Sequence, residues 1–502
     1  MRWPRPLVLH PLLFAALPVV YLYAANLAET NLSDVLAPLA VILVGAVILL
    51  AAAAFLLRRV HAAGVAVSGL ILLFFSYGHV HRGLAGTPVG RHRVLLVLWA
   101  ALALVLVVAA VRGRRWPVRA TGALNFVAAG LVLVNVATIA LYNLRSRPAE
   151  VGDPGIAAAP RTAPDRDIYY LVFDRYGGER ALRGSFRFDN STFVEGLEKR
   201  GFYVADRSSG NYPRTLHSLA SSLNMDHLLE LARRVGEDSG DGGPLREILA
   251  DHRVGRFLKE AGYRYIQVGS WWAPTATSPL ADRTMRAGLL SEFSAVLLST
   301  TAAAPVLEMV SGEMEPRRRE YNRTLQQFEN LTKASRLPGP KFVFAHFLVP
   351  HTPYVFDRNG AFLPQEIHDA RSEGENYVEQ LRYVNRRIEQ LLDEILAVPE
   401  KERPIVLLQS DEGPGERPES WEGVPQRVLE EKFFILNAYH LPGVEDPPLY
   451  PTITPVNSFR LVLNLYFGAE LPLLPDRVYV FQDIDHLYRF TDVTERLFGD
   501  DP

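Results

Sequence analysis

Long apolar runs fill the first 143 residues of the chain. They cover Leu7–Ala25, Val35–Leu57, Ala62–Gly78, Val94–Val111 and Thr121–Tyr142. Each run is close to the roughly 20 residues that a helix needs to cross a bilayer, and the third run is the shortest. The pattern predicts an N-terminal domain of about five transmembrane helices over residues 1–143.

From residue 166 onward the pattern changes to short apolar strands that alternate with amphipathic helices. The segments "DIYYLVFD", "YRYIQVGS", "KFVFAHFLV", "PIVLLQS" and "EKFFILNAY" have the composition of strands, and "YVEQLRYVNRRIEQLLDEIL" has helical spacing. Such alternation predicts an α/β domain over residues 166–502, with a mostly parallel sheet covered on both faces. Residues 144–165 are rich in proline and lack an apolar period, which is typical of a linker.

The region 274–336 departs from that pattern, because "GLLSEFSAVLLSTTAAAPVLEMV" is apolar over more than one helix. Glu292 and Pro305 interrupt it, and a full crossing would place the two halves of the predicted site on opposite sides of the membrane. We therefore expect a helical insertion that packs on the domain or lies at the lipid surface. An ordinary packed helix pair is the alternative.

Charge is distributed unevenly along the chain. Residues 1–150 contain 13 Arg, no Lys and 3 acidic residues, a net charge of +10, so the total of −2 leaves −12 for residues 151–502. Arginines precede the first apolar run (Arg2 and Arg5) and follow the second and the fourth, whereas Arg82, Arg91 and Arg93 run counter to this bias. The positive-inside rule then predicts a multi-pass cell-membrane protein with a cytoplasmic N-terminus and an extracytoplasmic α/β domain.

Cysteine is absent from the chain. Its absence excludes disulfides, thiolate metal sites and a cysteine nucleophile. No segment is typical of a nucleic-acid-binding module, so we expect no nucleic-acid partner.

Polar residues follow three of the predicted strands. They are Asp174 in "YYLVFDRYGG", His351 in "FAHFLVPHTPY", and Asp411 with Glu412 in "VLLQSDEGPG". Ligands of open α/β sheets bind beyond the carboxyl ends of the strands, and a buried carboxylate usually needs a partner such as a metal ion. A single such residue could be a helix cap or a loop carboxylate. Several polar residues that each follow a strand, in this chain order, favour a ligand-binding site.

The segment "GNYPRTLHSLASSLNM" places Thr215 at the start of an apolar, small-residue helix. Threonine is a common N-cap, so capping is one interpretation. The free N–H groups and the dipole of a helix N-terminus also favour an anion, and a hydroxyl beside a divalent cation can act as a nucleophile toward phosphorus.

The order of Asp174, Thr215, "PHTPY" and "SDEG" resembles the alkaline phosphatase and sulfatase superfamily. With the apolar runs before it, the chain is similar in particular to lipoteichoic acid synthases and lipid A phosphoethanolamine transferases. The resemblance implies a three-layer α/β/α domain that moves a phosphorylated head group from a membrane lipid to an acceptor through a phosphothreonine. By motif, Asp174, Thr215 and Asp411 would bind the metal, Thr215 would be the nucleophile, and His351 would contact the phosphate or the leaving group.

The chain departs from that family at Glu412, because it has Asp411-Glu412-Gly413 where the family usually has Asp-His-Gly. With Glu412 as a ligand, the site would contain only oxygen donors, which suit Mg²⁺, Mn²⁺ or Ca²⁺ better than Zn²⁺. The same change could equally signal lost activity. We expect one divalent ion, Mn²⁺ or Mg²⁺ before Ca²⁺ or Zn²⁺, since a second ligand cluster is not evident.

Neighbouring polar residues have two interpretations each. Arg175 could neutralise a phosphate or form an ion pair, and Asn211 could bind substrate or stabilise a turn. We expect His346, within its strand, to point into packing or to bond the backbone.

Three functions are compatible with these observations. The first is a metal-dependent phosphotransferase or phosphodiesterase, with a membrane lipid as donor and a glycan, a lipid or water as acceptor. The second is a sulfatase-like ester hydrolase, which is disfavoured because Thr215-Leu216-His217-Ser218 lacks the C/S-x-P-x-R pattern that formylglycine formation requires. The third is a catalytically silent envelope-binding protein with the same fold, which the change at Glu412 supports.

Overall fold

A computed structural model describes residues 6–27, 30–113, 115–145, 166–288, 290–311 and 315–499. The chain forms two compact units, Met1–Arg145 with Leu290–Arg319, and Ser146–Leu289 with Glu320–Pro502. Nearly all of the predicted linker, and the topology arginines Arg2 and Arg5, lie outside the described residues.

The helices, in chain order, are α1 (His10–Ala25), α2 (Leu32–Leu57), α3 (Val60–Gly83), α4 (His92–Arg112), α5 (Trp116–Arg145), α6 (Glu179–Phe186), α7 (Ser191–Lys199), α8 (Thr215–Asn224), α9 (Leu229–Val235), α10 (Gly243–Ala250), α11 (Arg253–Glu260), α12 (Ala273–Ala276), α13 (Glu292–Ser299), α14 (Ala304–Ser311), α15 (Pro316–Ser335), α16 (Gln365–Asp369), α17 (Glu373–Leu396), α18 (Gln426–Phe433), α19 (Pro455–Phe467) and α20 (Thr494–Phe498). The strands are β1 (Ile168–Phe173), β2 (Tyr203–Val204), β3 (Arg264–Val268), β4 (Arg283–Met285), β5 (Lys341–Phe347), β6 (Ile405–Gln409), β7 (Asn437–His440), β8 (Tyr479–Phe481) and β9 (Phe490–Asp492).

Helices α2 to α5 are each long and apolar enough to cross a membrane. Helix α1 has 16 residues and is therefore about 24 Å long, shorter than the roughly 30 Å hydrocarbon core. The third and shortest apolar run lies within α3, which extends beyond the run at both ends to 24 residues. The chain thus begins with four or five apolar helices that suggest membrane anchoring.

Helix α3 is the centre of the N-terminal helices and contacts α1, α2, α4 and α5. Its side toward α1 consists of small residues such as Ala63 and Gly64, and His10 Nδ1 lies 2.6 Å from Ser68 Oγ. Small residues allow close helix approach without a water-driven hydrophobic core. Large apolar side chains instead lie on the outside, with Phe55 82% and Phe126 83% exposed, as expected for lipid-facing positions.

Part of the predicted 274–336 insertion packs with the N-terminal helices. Phe293 and Leu297 of α13 join the apolar cluster that contains Phe14 and Phe75. The N–H of Gly78 donates to the carbonyl of Thr300 at 2.8 Å, and a Cβ at Gly78 would lie 2.1 Å from the Ser299 carbonyl oxygen. Only glycine permits this approach of α13 to α3.

Seven strands form the main sheet in the order β2-β7-β6-β1-β5-β3-β4. Strands β1, β3, β4, β5 and β6 are parallel, and β7 pairs antiparallel with both β6 and β2. Strand β1 lies between β5 and β6, with Val172 opposite both His346 and Gln409. The carboxyl ends of these three strands therefore meet at one edge of the sheet.

Alternate residues of β1 enter two separate cores. Ile168, Tyr170 and Val172 pack toward α8, α10, α11 and α19, whereas Tyr169, Leu171 and Phe173 pack toward α7, α15 and α17. Helices on both faces of a mostly parallel sheet make a three-layer α/β/α domain. The predicted fold class is confirmed.

Two segments of the sheet differ from the sequence-based prediction. The segment "EKFFILNAY" is not one strand, since α18 continues to Phe433 and β7 begins only at Asn437. Residues Arg283–Met285, within the segment predicted as helical, pair with β3 as the edge strand β4. Both segments are short, and tertiary pairing outweighs their local propensity.

Candidate active site

The carboxyl ends of β1, β5 and β6 bring together Asp174, His346 and Asp411. One ligand atom of each lies within 4.8 Å of the others, and all three residues are buried. Asp174 follows β1 directly, Asp411 follows β6 by one residue, and His346 is the penultimate residue of β5. The strand register described above therefore positions the group.

Each member of this group has one buried polar atom for which the described residues provide no hydrogen-bond partner. These atoms are Asp174 Oδ1, His346 Nε2 and Asp411 Oδ2, and Glu412 Oε2 beside them is in the same state. Buried polar atoms are almost always paired, so a convergent set of unpaired acceptors indicates a missing cation. The residues fit a divalent metal ion.

The structure corrects the expectation that His346 serves only packing. Its Nδ1 lies 3.0 Å from Thr275 Oγ1, which fixes the ring, and its buried Nε2 has no hydrogen-bond partner among the described residues and is thus available as a ligand. Burial lowers the pKa of His346 to about 3, so the ring is neutral at pH 7. A neutral imidazole with one nitrogen bonded to a neighbour is the usual form of a metal ligand.

His346 also changes the expected donor set. The group adds one imidazole nitrogen to two carboxylates as candidate donors, so the all-oxygen ligand set stays a prediction. Mixed nitrogen and oxygen donors suit Zn²⁺ and other transition metals as well as Mn²⁺. The donor set supports a divalent ion without specifying which one.

Glu412 follows Asp411 in the chain but is not a member of the group formed by Asp174, His346 and Asp411. Its Oε1 accepts from Lys432 Nζ at 2.9 Å and from Arg175 Nε at 3.1 Å, and only Oε2 is left unpartnered. Two cations thus fix the carboxylate that replaces the usual histidine. Its role as a metal ligand stays a prediction.

Lys432 is the residue that sequence reasoning missed. Its side chain is 1% exposed at the end of α18, and its carbonyl accepts from the N–H of Gly413 at 2.8 Å. A buried lysine is unusual unless it is paired. In the sequence, "LEEKFFIL" shows a lysine next to an apolar run, but nothing there indicates that Glu412 is its partner.

Thr215 is the first residue of α8, and it is half-buried. The N-cap position belongs to Arg214, which makes no side-chain cap hydrogen bond, so the capping interpretation of Thr215 is wrong. The Thr215 side chain lowers the pKa of Asp411 through hydrogen bonding, against the raising effect of burial. Its role as nucleophile and metal ligand stays a prediction.

The carboxylates of the group destabilise one another in the absence of a cation. Burial raises the pKa of Asp174 well above its usual value, and repulsion from Asp411 and Glu412 raises it further, while Arg175 and Lys432 oppose this. Burial also raises the pKa of Asp411, against the lowering effect of the Thr215 hydrogen bond. A divalent ion would reverse these shifts, because it favours the ionised forms.

His351 and Arg175 border the group. The backbone N–H of His351 donates to the Asp174 carbonyl at 3.2 Å, and burial, with the Arg175 charge, lowers the pKa of the ring to about 4. Arg175 has a left-handed backbone (φ 60°) and forms ion pairs with Glu412 and Glu416. The ion-pair interpretation of Arg175 therefore holds.

Asn211 uses both ends of its side chain in hydrogen bonds to the backbone. Its amide donates to the Arg477 carbonyl at 2.9 Å and accepts from the Val456 N–H at 3.1 Å. Both ends of the side chain thus fix the loop before Thr215. A contact with substrate stays a prediction for this residue.

A mostly parallel sheet with a buried Asp-His-Asp group at its carboxyl edge is typical of a metal-assisted hydrolase or transferase. Residues 240–444 match the Sulfatase family model. This part of the chain is therefore similar to the sulfatase family, which confirms the resemblance to the alkaline phosphatase and sulfatase superfamily. The match contains His346, Asp411 and Lys432 and begins after Thr215.

Several solved structures overlap with the chain. The zinc complex of the C-terminal periplasmic domain of EcEptC from Escherichia coli is 13% identical, with 69% of this chain and 98% of that one covered and a TM-score of 0.46. Lipooligosaccharide phosphoethanolamine transferase A (EptA) from Neisseria meningitidis, an integral membrane protein, is 12% identical, with 95% and 98% covered and a TM-score of 0.40. The 2-O GAG sulfatase BT1596 is 11% identical, with 61% and 72% covered and a TM-score of 0.38. No curated protein matches the sequence. At these identities the overlaps assign no activity.

Proposed function

We propose that the protein is a membrane-anchored phosphotransferase or phosphodiesterase that acts on a phosphorylated lipid head group through a covalent phosphothreonine at Thr215. One observation carries the proposal: Thr215, at the N-terminus of α8, lies near enough to Asp411 for its side chain to lower the pKa of that carboxyl, beside a buried Asp-His-Asp group. The coarser conclusion, a membrane-anchored enzyme of the alkaline phosphatase superfamily, is supported by the family match and the apolar helices.

Asp174, His346 and Asp411 would hold the divalent ion, with Thr215 Oγ and Glu412 Oε2 as further candidate ligands. When bound, such an ion supplies Lewis-acid stabilisation of the phosphoryl oxygens and lowers the pKa of a coordinated hydroxyl. The chain's own contribution is the fixed placement of the donors by three adjacent strands.

Thr215 Oγ attacks the phosphorus of the donor while its proton passes to the Asp411 carboxylate, whose pKa burial raises. The bond between phosphorus and the lipid oxygen breaks, that oxygen takes a proton from solvent, and the lipid leaves as an alcohol. The first N–H groups of α8 have no intrahelical partner and would bind the phosphoryl oxygens. An acceptor hydroxyl then attacks phosphorus and releases its proton to solvent, while Thr215 Oγ leaves and recovers its proton from Asp411.

His351 would serve the leaving group. Its low pKa keeps the ring neutral at pH 7, and its one N–H, on Nδ1, donates to the Thr352 carbonyl, so Nε2 would accept a hydrogen bond from the hydroxyl of the leaving alcohol. It is half-buried, which leaves part of the ring accessible to a ligand.

The test is a mass measurement on the intact protein. The purified chain is incubated with membrane lipids and Mn²⁺, and any adduct is mapped to a residue. We expect a phosphoryl or head-group phosphate mass on Thr215 that is absent from a Thr215→Ala variant and present in a Thr215→Ser variant. An adduct on another residue, or normal cellular function of Thr215→Ala without any adduct, would overturn the covalent mechanism.

A sulfatase-like hydrolase is the second candidate, because the matching family model is the sulfatase one. Paired assays with p-nitrophenyl sulfate and bis(p-nitrophenyl) phosphate separate the two. Metal analysis tests the third possibility, a silent envelope-binding protein: a purified chain that takes up no divalent ion lacks the proposed chemistry.

A further inference from the structure

Two glutamates divide the guanidinium of Arg175 between them. Its Nε donates to Glu412 Oε1 at 3.1 Å, whereas its Nη1 and Nη2 donate to the two carboxylate oxygens of Glu416, the second at 3.3 Å. We call the two Nη groups the outer fork of Arg175. Such a planar fork binds carboxylate or phosphate oxygens in pairs, so another anion can bind it in this way only when Glu416 leaves.

Arg175 belongs to the candidate active site. It follows Asp174 in the chain, and its backbone N–H lies 3.4 Å from Asp411 Oδ1. Burial and then the charge of Arg175 lower the pKa of the His351 ring, so this charge acts within the site. Arg175 is therefore placed to neutralise an anionic group bound at the Asp-His-Asp group.

The two glutamates differ in their ability to leave Arg175. Glu412 is 5% exposed and has a second ion pair, with Lys432 at 2.9 Å. Glu416 is 69% exposed, and Arg175 is its one ion-pair partner among the residues that the structure describes. Separation of a buried carboxylate from its cation is costly, but an exposed carboxylate regains water. Glu416 is thus the partner that a ligand can displace.

The loop before Glu416 is fixed to the end of α18. The N–H of Gly413 donates to the Lys432 carbonyl at 2.8 Å, and that of Gly415 donates to the Glu431 carbonyl at 3.2 Å. A Cβ at Gly415 would lie 3.1 Å from Glu431 Cγ, so this contact is also close. Glu416 can therefore free the outer fork by rotation of its exposed side chain, without a movement of the loop.

The Glu416 carboxylate interacts with cations that an anionic ligand at the outer fork would meet. Burial raises its pKa, but the hydrogen bond and the charge of Arg175, followed by the charge of Lys432, lower it overall. These cations stabilise negative charge at this position. A phosphate group in place of the carboxylate would gain the same stabilisation.

We propose that Glu416 is a built-in competitor, which occupies the outer fork of Arg175 until the phosphoryl group of a substrate displaces it. This inference rests on the proposed function, since it identifies the outer fork as the place where the substrate phosphate is neutralised. The exchange replaces one anion by another and forms no covalent bond. It lowers the apparent affinity for an anion in proportion to the fraction of molecules in which the fork is free.

A binding experiment tests the competition. The full chain in detergent, at low salt and with Mn²⁺, is titrated with inorganic phosphate by calorimetry. We expect Glu416→Gln, which keeps the shape but removes the charge, to bind phosphate about fivefold more tightly, the effect of one exposed ion pair. Asp393→Asn is the matched control and should bind phosphate as the parent does. Asp393 is 62% exposed and accepts from Nε and Nη2 of Arg200, at 2.8 and 3.1 Å.

A second variant shows whether Glu416 acts through Arg175. In an Arg175→Met background, Glu416→Gln should change the phosphate affinity by less than about twofold, because the fork is absent. Arg175→Lys, which keeps the charge but loses the planar fork, replaces this background if Arg175→Met does not fold. Two results would overturn the proposal. One is unchanged phosphate affinity in Glu416→Gln, and the other is an equal gain with and without Arg175, which would make Glu416 a general source of repulsion.

The mass measurement on Thr215 separates this inference from the proposed function. If Glu416→Gln tightens phosphate binding through Arg175 but no variant forms an adduct, the covalent mechanism is rejected and the competition at the outer fork stands. If the adduct forms on Thr215 but Glu416→Gln binds phosphate as the parent does, Glu416 is not a competitor and the proposed function stands.

Discussion

At the scale of single residues, the pairing of Glu412 with Lys432 is the feature that most distinguishes this site. A carboxylate that is 5% exposed would be strongly disfavoured without the lysine, which is itself 1% exposed. The pair preserves the shape of the site where the usual histidine is replaced. Glu412 is therefore compensated within the fold, which argues against simple decay of the site.

Removal of the lysine should destabilise the protein strongly. Lys432→Met leaves Glu412 buried with Arg175 as its remaining cation, and breaking a buried pair costs about 3–5 kcal/mol. Thermal unfolding of the full chain in detergent measures the loss. Arg427→Met in the same helix breaks an exposed pair with Glu431 and should cost about 1 kcal/mol or less. Equal melting temperatures for the two variants would contradict the structural role of Lys432.

Thr275, which contacts Nδ1 of His346, should control the affinity of the site for a metal ion. Thr275→Val keeps the volume but removes the hydroxyl 3.0 Å from His346 Nδ1, so the ring loses its orienting partner. Loss of such a partner weakens metal binding by about 10–100-fold. Competition with a fluorescent chelator measures the affinity, and Thr277→Val, just after α12, serves as control. An unchanged affinity would mean that His346 is not a ligand.

At the scale of elements, the loop after β6 depends on the end of α18. A Cβ at Gly413 would lie 2.3 Å from the Glu431 carbonyl oxygen, so the loop and the helix touch backbone to backbone. The contact places Lys432 against Glu412. The position of Asp411 relative to the sheet thus depends on α18, which begins 15 residues later in the chain.

Gly413→Ala should displace this loop. We expect a lower melting temperature and loss of metal binding, because backbone atoms cannot yield to the new methyl group. Gly184→Ala is the matched change in α6, where a Cβ meets nothing within 4 Å and the helix should gain up to about 1 kcal/mol. Normal metal content in Gly413→Ala would show that the loop is more adaptable than its packing indicates.

The sequence predicts the site residues whose position depends on a single strand or helix. Asp174 and Asp411 follow strands that are evident as apolar runs, and Thr215 begins a helix whose pattern is local. His346 and Lys432 could not be assigned, because their chemistry depends on which strands are neighbours and on where α18 ends. Strand pairing is a tertiary property, and "EKFFILNAY" has β-type residues although its first three residues belong to a helix.

At the scale of the whole molecule, the absence of cysteine makes the predicted orientation directly testable. Single cysteines at Ser420, in the α/β domain, and at Arg58, after α2, introduce the only thiols. A membrane-impermeant maleimide should label Ser420→Cys in intact cells and label Arg58→Cys only after lysis. Labelling of both, or of Arg58→Cys alone, would reject an extracytoplasmic α/β domain.

The chain passes between its two units three times, near residues 145, 289 and 319. A protease that cuts only between residues 146 and 165 therefore does not free the α/β domain, since α13 stays packed among the N-terminal helices through Phe293 and Leu297. Such a cut should yield two polypeptides that copurify in mild detergent and separate only on denaturation. A soluble enzyme cannot be obtained by starting the chain at residue 166 alone; residues 290–319 have to be replaced by a short polar connection as well.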